Sequence, residues 1–294
     1  MAEAWVSKLA QEIQQADAIL IGGGSGLSSA AGYNHYHWSD ALKEGLEAFW
    51  EHYRFKSPFE GFYHCFSDYG AQWGYYAKYS QMMHQAKTGK PYELLREIVG
   101  DKPHFVLTTN VDGQFNRVFA PEHIFIYQGD FSYLQCSQPC HDELYPSGPV
   151  VEELSAQLQD GVYLSQELVP RCPHCGRVMI PWVRDDTFME GSAWQEQQSR
   201  YRAFLRRWLM EEKGKRLLLL ELGVGEMSPG VIKLPFWQIA AANEGVRYVC
   251  MNLEKSHAPE HLKDRGMYVQ GDLSQTLQQL HTELEKVGRN DGTV

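Results

Sequence analysis

Seven times along this 294-residue chain, a short apolar run stops at a glycine or a small polar group: "AILIGGG", "HFVLTTN", "HIFIYQG", "MIPWVRD", "RLLLLELG", "VRYVCMN" and "GMYVQGD". Continuous apolar runs of this length predict strands buried on both faces. Helical spacing lies between them. Val6, Leu9 and Ile13 predict a first helix over 4–15, and "PYELLREIVG" predicts a helix over 91–100 capped by Gly100. Further helices are expected at roughly 195–213, 235–244 and 273–287. Strand–helix alternation of this kind predicts an α/β fold, a doubly wound, Rossmann-like parallel sheet. Such sheets bind ligands at the carboxyl ends of their strands. The tails "GGGSG", "TTN", "QGD", "GVG", "NLE" and "GD" all fall there.

Two segments break the alternation. Residues 33–83 hold 16 of the chain's 37 aromatic residues, which predicts a helical lobe or lid, or simply a second small core. Residues 131–180 carry two cysteine pairs and few strand signals. The expected organisation is one catalytic unit over 1–294. Its Rossmann-like part takes 1–32, 91–130 and 181–294, a helical lobe takes 33–90, and a zinc-binding module takes 131–180.

With 43% hydrophobic and 22% charged residues, the chain has the composition of a globular protein. A net charge of −10 argues against a general nucleic-acid or anionic-membrane binder. The start "MAEAWVSKLAQEIQQ" lacks the basic and apolar regions of a signal peptide, and "LLLLELGVG" is too short to span a bilayer. A cytoplasmic enzyme is the expectation.

Cys136-x3-Cys140 and Cys172-x2-Cys175 are spaced as in a ribbon-type site for one structural Zn2+. His141 and His174 lie beside these pairs as substitute ligands. Cys65 and Cys250 stand alone and are expected to pack as small apolar residues.

"IGGGSGLSSAAGY" (21–33) follows a strand and opens a helix, where backbone N–H groups meet phosphates. Gly22, Gly23, Gly24 and Gly26 permit close approach, but the spacing is not G-x-G-x-x-G. No acidic residue closes a second strand about twenty positions later, so the loop implies a nucleotide or phosphate, or else a tight structural turn, and does not imply hydride transfer. "LELGVGEMSPG" supplies a second glycine turn and "VCMNLE" a third tail at Asn252. Their common position favours a long dinucleotide.

Together these pieces resemble the sirtuin family of NAD-consuming deacylases and ADP-ribosyltransferases. The family's G-A-G-x-S-x-x-S-G-I motif aligns with Gly24 to Tyr33, and its T-Q-N-x-D-x-L-H motif with Thr108 to Phe115. Its G-T-S turn falls on Gly223-Val224-Gly225. The H-G dipeptide, which holds the family's catalytic histidine, falls on Gln128-Gly129. The F-G-E after the zinc module reads Val183-Arg184-Asp185, and G-I-P-x-F-R reads Gly32 to His37. These departures resemble the macrodomain-linked sirtuins.

The resemblance implies NAD+ as co-substrate and contacts at Gly24, Ser25, Gly26, Leu27, Ser28, Thr108, Asn110, Asp112, Gln128, Gly223, Val224, Gly225, Asn252, Leu253, Asp272 and Leu273. Asp112 would hold the nicotinamide carboxamide, Asn110 the ribose hydroxyls, and Gln128 the ribose. Arg184 would position an acidic acceptor or the phosphates, or else pair with Asp185 or Asp186. A glutamine cannot remove a proton, and a lost general base costs about 10²–10⁴-fold, so deacylation is the step disarmed. The class implies mono-ADP-ribosylation of a lipoylated carrier protein like glycine cleavage H, with a macrodomain protein reversing it. The alternatives are a deacylase or delipoylase using His35 or His37 as base, and a silent NAD-binding module.

Overall fold

The computed structural model describes residues 4–254, 259–262 and 265–291. Its strands are β1 (Ala18–Gly23), β2 (His104–Thr108), β3 (Ile124–Ile126), β4 (Gly129–Cys136), β5 (Tyr145–Pro146), β6 (Met179–Val183), β7 (Leu217–Leu222), β8 (Val246–Asn252) and β9 (Gly266–Gln270). Six of them form one parallel sheet in the order β3-β2-β1-β7-β8-β9. Every residue of β1 and β7 is buried, which is why these strands read as unbroken apolar runs. The chain order reverses between β1 and β7, so the crevice of the doubly wound sheet opens there. Register brings Gly23 level with Thr108 on one side and Leu222 on the other.

Helices cover both faces. On one side α1 (Ala4–Gln15), α2 (Ser25–Ala30), α7 (Lys90–Val99) and α11 (Leu273–Asp291) pack Leu9, Ile13, Leu27, Leu95 and Leu277 against the sheet. On the other, α9 (Ser192–Arg206) and α10 (Lys233–Ala242) contribute Trp194, Phe236 and Ala240. Gly100 follows α7 at φ +56° and ψ −140°, a positive φ that favours glycine but not the left-handed helical cap expected.

The run "MIPWVRD" does not join the parallel sheet. As β6 it pairs antiparallel with β4 in a three-stranded sheet of order β5-β4-β6. Both of its faces are buried, so the sequence does not distinguish it from a parallel strand. Pro181 is tolerated because β6 lies at the edge.

The aromatic segment folds as α3 (Asp40–Gly45), α4 (Glu47–Tyr53), α5 (Pro58–Phe62) and α6 (Tyr69–Gln85), with α8 (Gly148–Ser155) against it. Its rings form a second core continuous with the small sheet: Phe131 of β4 meets Phe62 at 5.3 Å and Tyr79 at 5.0 Å, both edge-on. Trp73 Nε1 donates to Met179 O of β6 at 2.8 Å. Among the described residues no helix is long and apolar enough to cross a membrane.

Candidate active site

The two glycine turns lie one upon the other. Gly24 N donates to Leu222 O and Gly26 N to Gly223 O, each at 2.9 Å. A Cβ on Gly24 would stand 2.6 Å from Gly223 O, and one on Gly26 2.7 Å from Gly223 Cα. The glycines therefore permit turn-on-turn packing at the switch point, whatever they later admit. Asn252 Nδ2 donates to Val224 O at 3.1 Å and ties the second turn to β8. Beneath that turn, buried Glu221 accepts from Lys233 Nζ and from Tyr248 OH, both at 2.7 Å.

The floor is built behind β2. Thr108 Oγ1 donates to Gly23 O at 2.9 Å and receives Asn110 N at 3.0 Å. Asn110 Nδ2 donates to Gly24 O (3.0 Å) and Tyr92 OH (3.1 Å). These two acceptors fix the amide's orientation, and they leave Asn110 Oδ1 buried without a partner among the described residues. Asp112 accepts from Ser28 Oγ at 2.5 Å and from Gln114 N at 3.1 Å, with Tyr92 OH 3.5 Å away. Burial, reinforced by Asp112, pushes the Tyr92 phenol far up, so it stays protonated. Tyr92 and Gln114 had no signal in the sequence, because their partners lie elsewhere along the chain.

Gln128 and Arg184 form the rim. Arg184 N donates to Gln128 O at 2.9 Å, linking the end of β6 to the end of β3. The Gln128 amide meets no protein partner among the described residues. Arg184 does not pair with Asp185 or Asp186 as the sequence offered. Its Nη2 meets Glu190 at 2.8 Å and Tyr127 O at 3.0 Å, and its guanidinium lies 4.7 Å from the Tyr127 ring centre and 4.2 Å from that of Phe188. Asp185 instead accepts from Thr187. Arg184 Nε is buried and has no partner among the described residues.

One cavity of about 230 Å³ brings Gly24, Ser25, Gln128, Arg184, Val224 and Gly225 to a common surface. An adjoining, smaller cavity shares Ser25, Thr109 and Gln128 with it and adds Asn110, Val111, His35 and Tyr79. Gly26, Leu27, Ser28, Thr108 and Gly223 support these walls from behind. Asp112 faces a separate depression with Gly113 and Asn116. His37 is exposed on the lobe. Leu253 is 65% exposed. Asp272 caps α11 by accepting from Ser274 N and Gln275 N, and the side chain of Leu273 is in the core. Another cavity, about 640 Å³, lies at the opposite end of β2 around His104 and Arg207, remote from all these residues.

Burial pushes the His35 imidazole down, against the pull of Asp112, so it is neutral near pH 7. Asp130, two residues past Gln128 and fully buried, is pushed up to about 6 by desolvation.

The four cysteines converge. Cys136 and Cys175 sulfurs are 3.6 Å apart, as are those of Cys140 and Cys172, and all four fall within 4.8 Å of one another. A disulfide would need about 2.05 Å, whereas Zn–S bonds of about 2.3 Å in a tetrahedron place sulfurs ~3.8 Å apart. The donor set fits one structural zinc. Backbone N–H donation from Arg177 pulls the Cys175 thiol down to about 6. The adjacent histidines do not replace a cysteine: His141 Nε2 approaches Cys172 Sγ at 3.3 Å, and His174 pairs with Glu143.

No protein-family model matches the chain. It is 28% identical over 285 residues to the Staphylococcus aureus protein named "Protein ADP-ribosyltransferase", covering 96% of this chain and 86% of that one. It is 29% identical over 283 residues to a Fusarium oxysporum protein named "Probable bifunctional ADP-ribose hydrolase/ADP-ribosyltransferase", covering 92% of this chain but 46% of that longer protein. A third relative, "NAD-dependent protein deacylase 2" of Pseudomonas aeruginosa, is 29% identical over 180 residues, 60% of this chain and 64% of that one. Among solved structures, a Sir2 homolog–NAD complex superposes with a TM-score of 0.65 at 16% identity, covering 95% of this chain and 94% of that one. A second, solved for the structural basis of sirtuin substrate affinity, gives 0.60 at 17%, covering 94% and 98%. Strand order, cysteine cluster and these likenesses agree: the chain has the Sir2 fold.

Proposed function

We propose that the chain is an NAD-dependent protein mono-ADP-ribosyltransferase that releases nicotinamide, and that its acceptor is a lipoylated carrier protein of the glycine cleavage H type. The carrying observation is the composition of the cavity wall: an oriented, unpartnered Asn110 Oδ1 lines the same cavity as Gln128, an amide in the place of a base. NAD would supply the ADP-ribosyl group. The residues that would hold it are Gly24, Ser25, Val224 and Gly225 along the cleft and Asn110 at its floor. Asn110 Oδ1 accepts a ribose hydroxyl and fixes the sugar, a positional contribution that needs no proton transfer. Gln128 holds the sugar without titrating.

In the transfer, the bond from ribose C1′ to the nicotinamide nitrogen breaks and its electron pair leaves with the ring. The acceptor's lone pair forms the new bond to C1′, and any proton it carried passes to water. Arg184 stands on the same wall with Nε unpartnered and orients an anionic acceptor or a phosphate. The S. aureus relative's name supports the transferase reading. The lipoylated carrier rests on the resemblance to the macrodomain-linked class. The longer Fusarium relative, named for both hydrolase and transferase, is in keeping with a macrodomain protein that reverses the modification.

Intact mass after incubation with NAD and a carrier protein, with and without its lipoyl group, tests this. The expected result is a gain of one ADP-ribosyl unit on the lipoylated carrier alone, abolished by Asn110→Ala. Nicotinamide release without that gain would exclude this acceptor. Retained NAD binding with no nicotinamide release would exclude transfer altogether and leave a silent NAD-binding module.

A further inference from the structure

His35 lines the smaller of the two adjoining cavities and has no role in the transfer proposed above. Its Nδ1 is hydrogen-bonded to Tyr79 OH, while its Nε2 is buried and without a partner among the described residues. The Tyr79 phenol is 3% exposed, and among the described residues its hydroxyl meets His35 alone. Burial holds this phenol in its protonated form. A buried O–H with a single neighbour donates to it, because an unmade donor is costlier than an unused lone pair. Nδ1 is therefore the acceptor, and the proton of the neutral ring sits on Nε2. So the cavity presents one buried donor without a partner, His35 Nε2–H, and one buried acceptor without a partner, Asn110 Oδ1. Phe59, Phe62 and Phe131 wall it with apolar rings.

A flat ring bearing a carboxamide matches this lining: the walls take the ring, and the carboxamide oxygen needs one donor. The family's carboxamide anchor would be Asp112, but here each of its oxygens already accepts a hydrogen bond, from Ser28 and from Gln114, and it lines another depression. We propose that His35 is a positioning residue for the leaving group, its Nε2–H donating to the carboxamide oxygen of nicotinamide and its tautomer set by Tyr79. This rests on the NAD-consuming reading above. It also removes His35 as a base, because its lone pair is turned away from the cavity toward Tyr79. The donor favours departure of the ring by holding the carboxamide, and no proton is transferred.

Titration calorimetry with nicotinamide in the presence of saturating ADP-ribose, and with ADP-ribose alone, tests it. His35→Ala should weaken nicotinamide binding roughly five- to ten-fold, the effect of one hydrogen bond to a buried group, and leave ADP-ribose affinity unchanged. His35→Gln retains a donor and should recover part of the loss. Tyr79→Phe, which frees the tautomer, should lose less than His35→Ala. Unchanged nicotinamide binding in His35→Ala would overturn the assignment. So would a parallel fall in ADP-ribose affinity, which marks a structural role, or a wild-type protein that binds ADP-ribose but not nicotinamide. If His35→Ala fails to fold, His35→Gln and Tyr79→Phe decide on the same criteria. A wild-type protein that binds both ligands yet modifies no carrier would defeat the acceptor assignment and leave this one standing.

Discussion

The two walls of the cleft are held in different ways. The wall behind β1 and β2 is interlocked: Asn110, Asp112, Ser28 and Tyr92 are all buried and bonded to one another or to the glycine turn. The wall that carries Gln128 and Arg184 depends on two short strand ends, a half-exposed ion pair with Glu190, and stacked rings. A change in the first wall breaks several buried hydrogen bonds at once. A side-chain exchange in the second leaves the backbone link from Arg184 N to Gln128 O intact. The wall that departs from the family pattern is thus the one whose chemistry can change at little structural cost.

The largest effect that would break this contrast is loss of the zinc site. Cys136 ends β4 and Cys172 and Cys175 precede β6, the two strands that support the Gln128 wall. Structural zinc contributes apparent binding energies of about 10–16 kcal/mol in isolated zinc-finger peptides. Chelation, or Cys136→Ala with Cys172→Ala, should therefore release the small sheet while the parallel sheet persists. Limited proteolysis is expected to cut within 137–178 and abolish transfer, with ADP-ribose binding retained. Protease resistance unchanged after metal removal would mean that the four thiols only pack.

A smaller effect arises where the walls meet, at Asp130. Its folded pKa of about 6 stands above the ordinary carboxylate value of about 3.9. The folded state then binds this proton more tightly than the unfolded chain does. Its stabilising contribution is complete below about pH 4 and is lost as pH rises through about 6, roughly 3 kcal/mol in all. Asp130→Asn carries no such titration. The difference in unfolding free energy between wild type and variant, measured by urea melts from pH 4 to 7, should shift toward the variant by about that amount. A difference constant with pH would show that Asp130 ionises normally.

The sequence made the first wall largely legible, and much of the fold with it, for a physical reason. Parallel strands buried on both faces must be apolar throughout, and they must stop where the backbone opens to the cleft, so Asn110 stands just past such a run. The small sheet was harder to read. β4 carries Asp130, Ser132 and Gln135, of which Asp130 and Gln135 are fully buried. Gln135 is satisfied by Thr187 O and Met189 N more than fifty residues away. A strand whose buried polar groups find distant partners has no apolar period to read. The same reason hides Tyr92 and the His35–Tyr79 pair, whose rings are 44 positions apart, and the choice of Glu190 for Arg184.

The smallest structural change sharpens the comparison most. Gln128→His returns an imidazole to the half-exposed rim without touching the backbone link from Arg184 or any side-chain hydrogen bond of the glutamine. Surface substitutions of this kind shift stability by about 0.5 kcal/mol or less, so the melting curve should superpose on that of the wild type. The chemistry should not. An imidazole near pH 7 can take a proton from a ribose hydroxyl, the step a glutamine cannot perform, and a positioned base contributes about 10²–10⁴-fold. Mass analysis of an acyl-lysine peptide incubated with NAD should therefore show deacylated product with the variant and little with the wild type, while nicotinamide release stays within a few-fold. If the variant folds, cleaves NAD and still removes no acyl group, the rim is set against deacylation by more than one residue. Arg184, on the same cavity wall in the place of the family's F-G-E, is then the second residue to exchange.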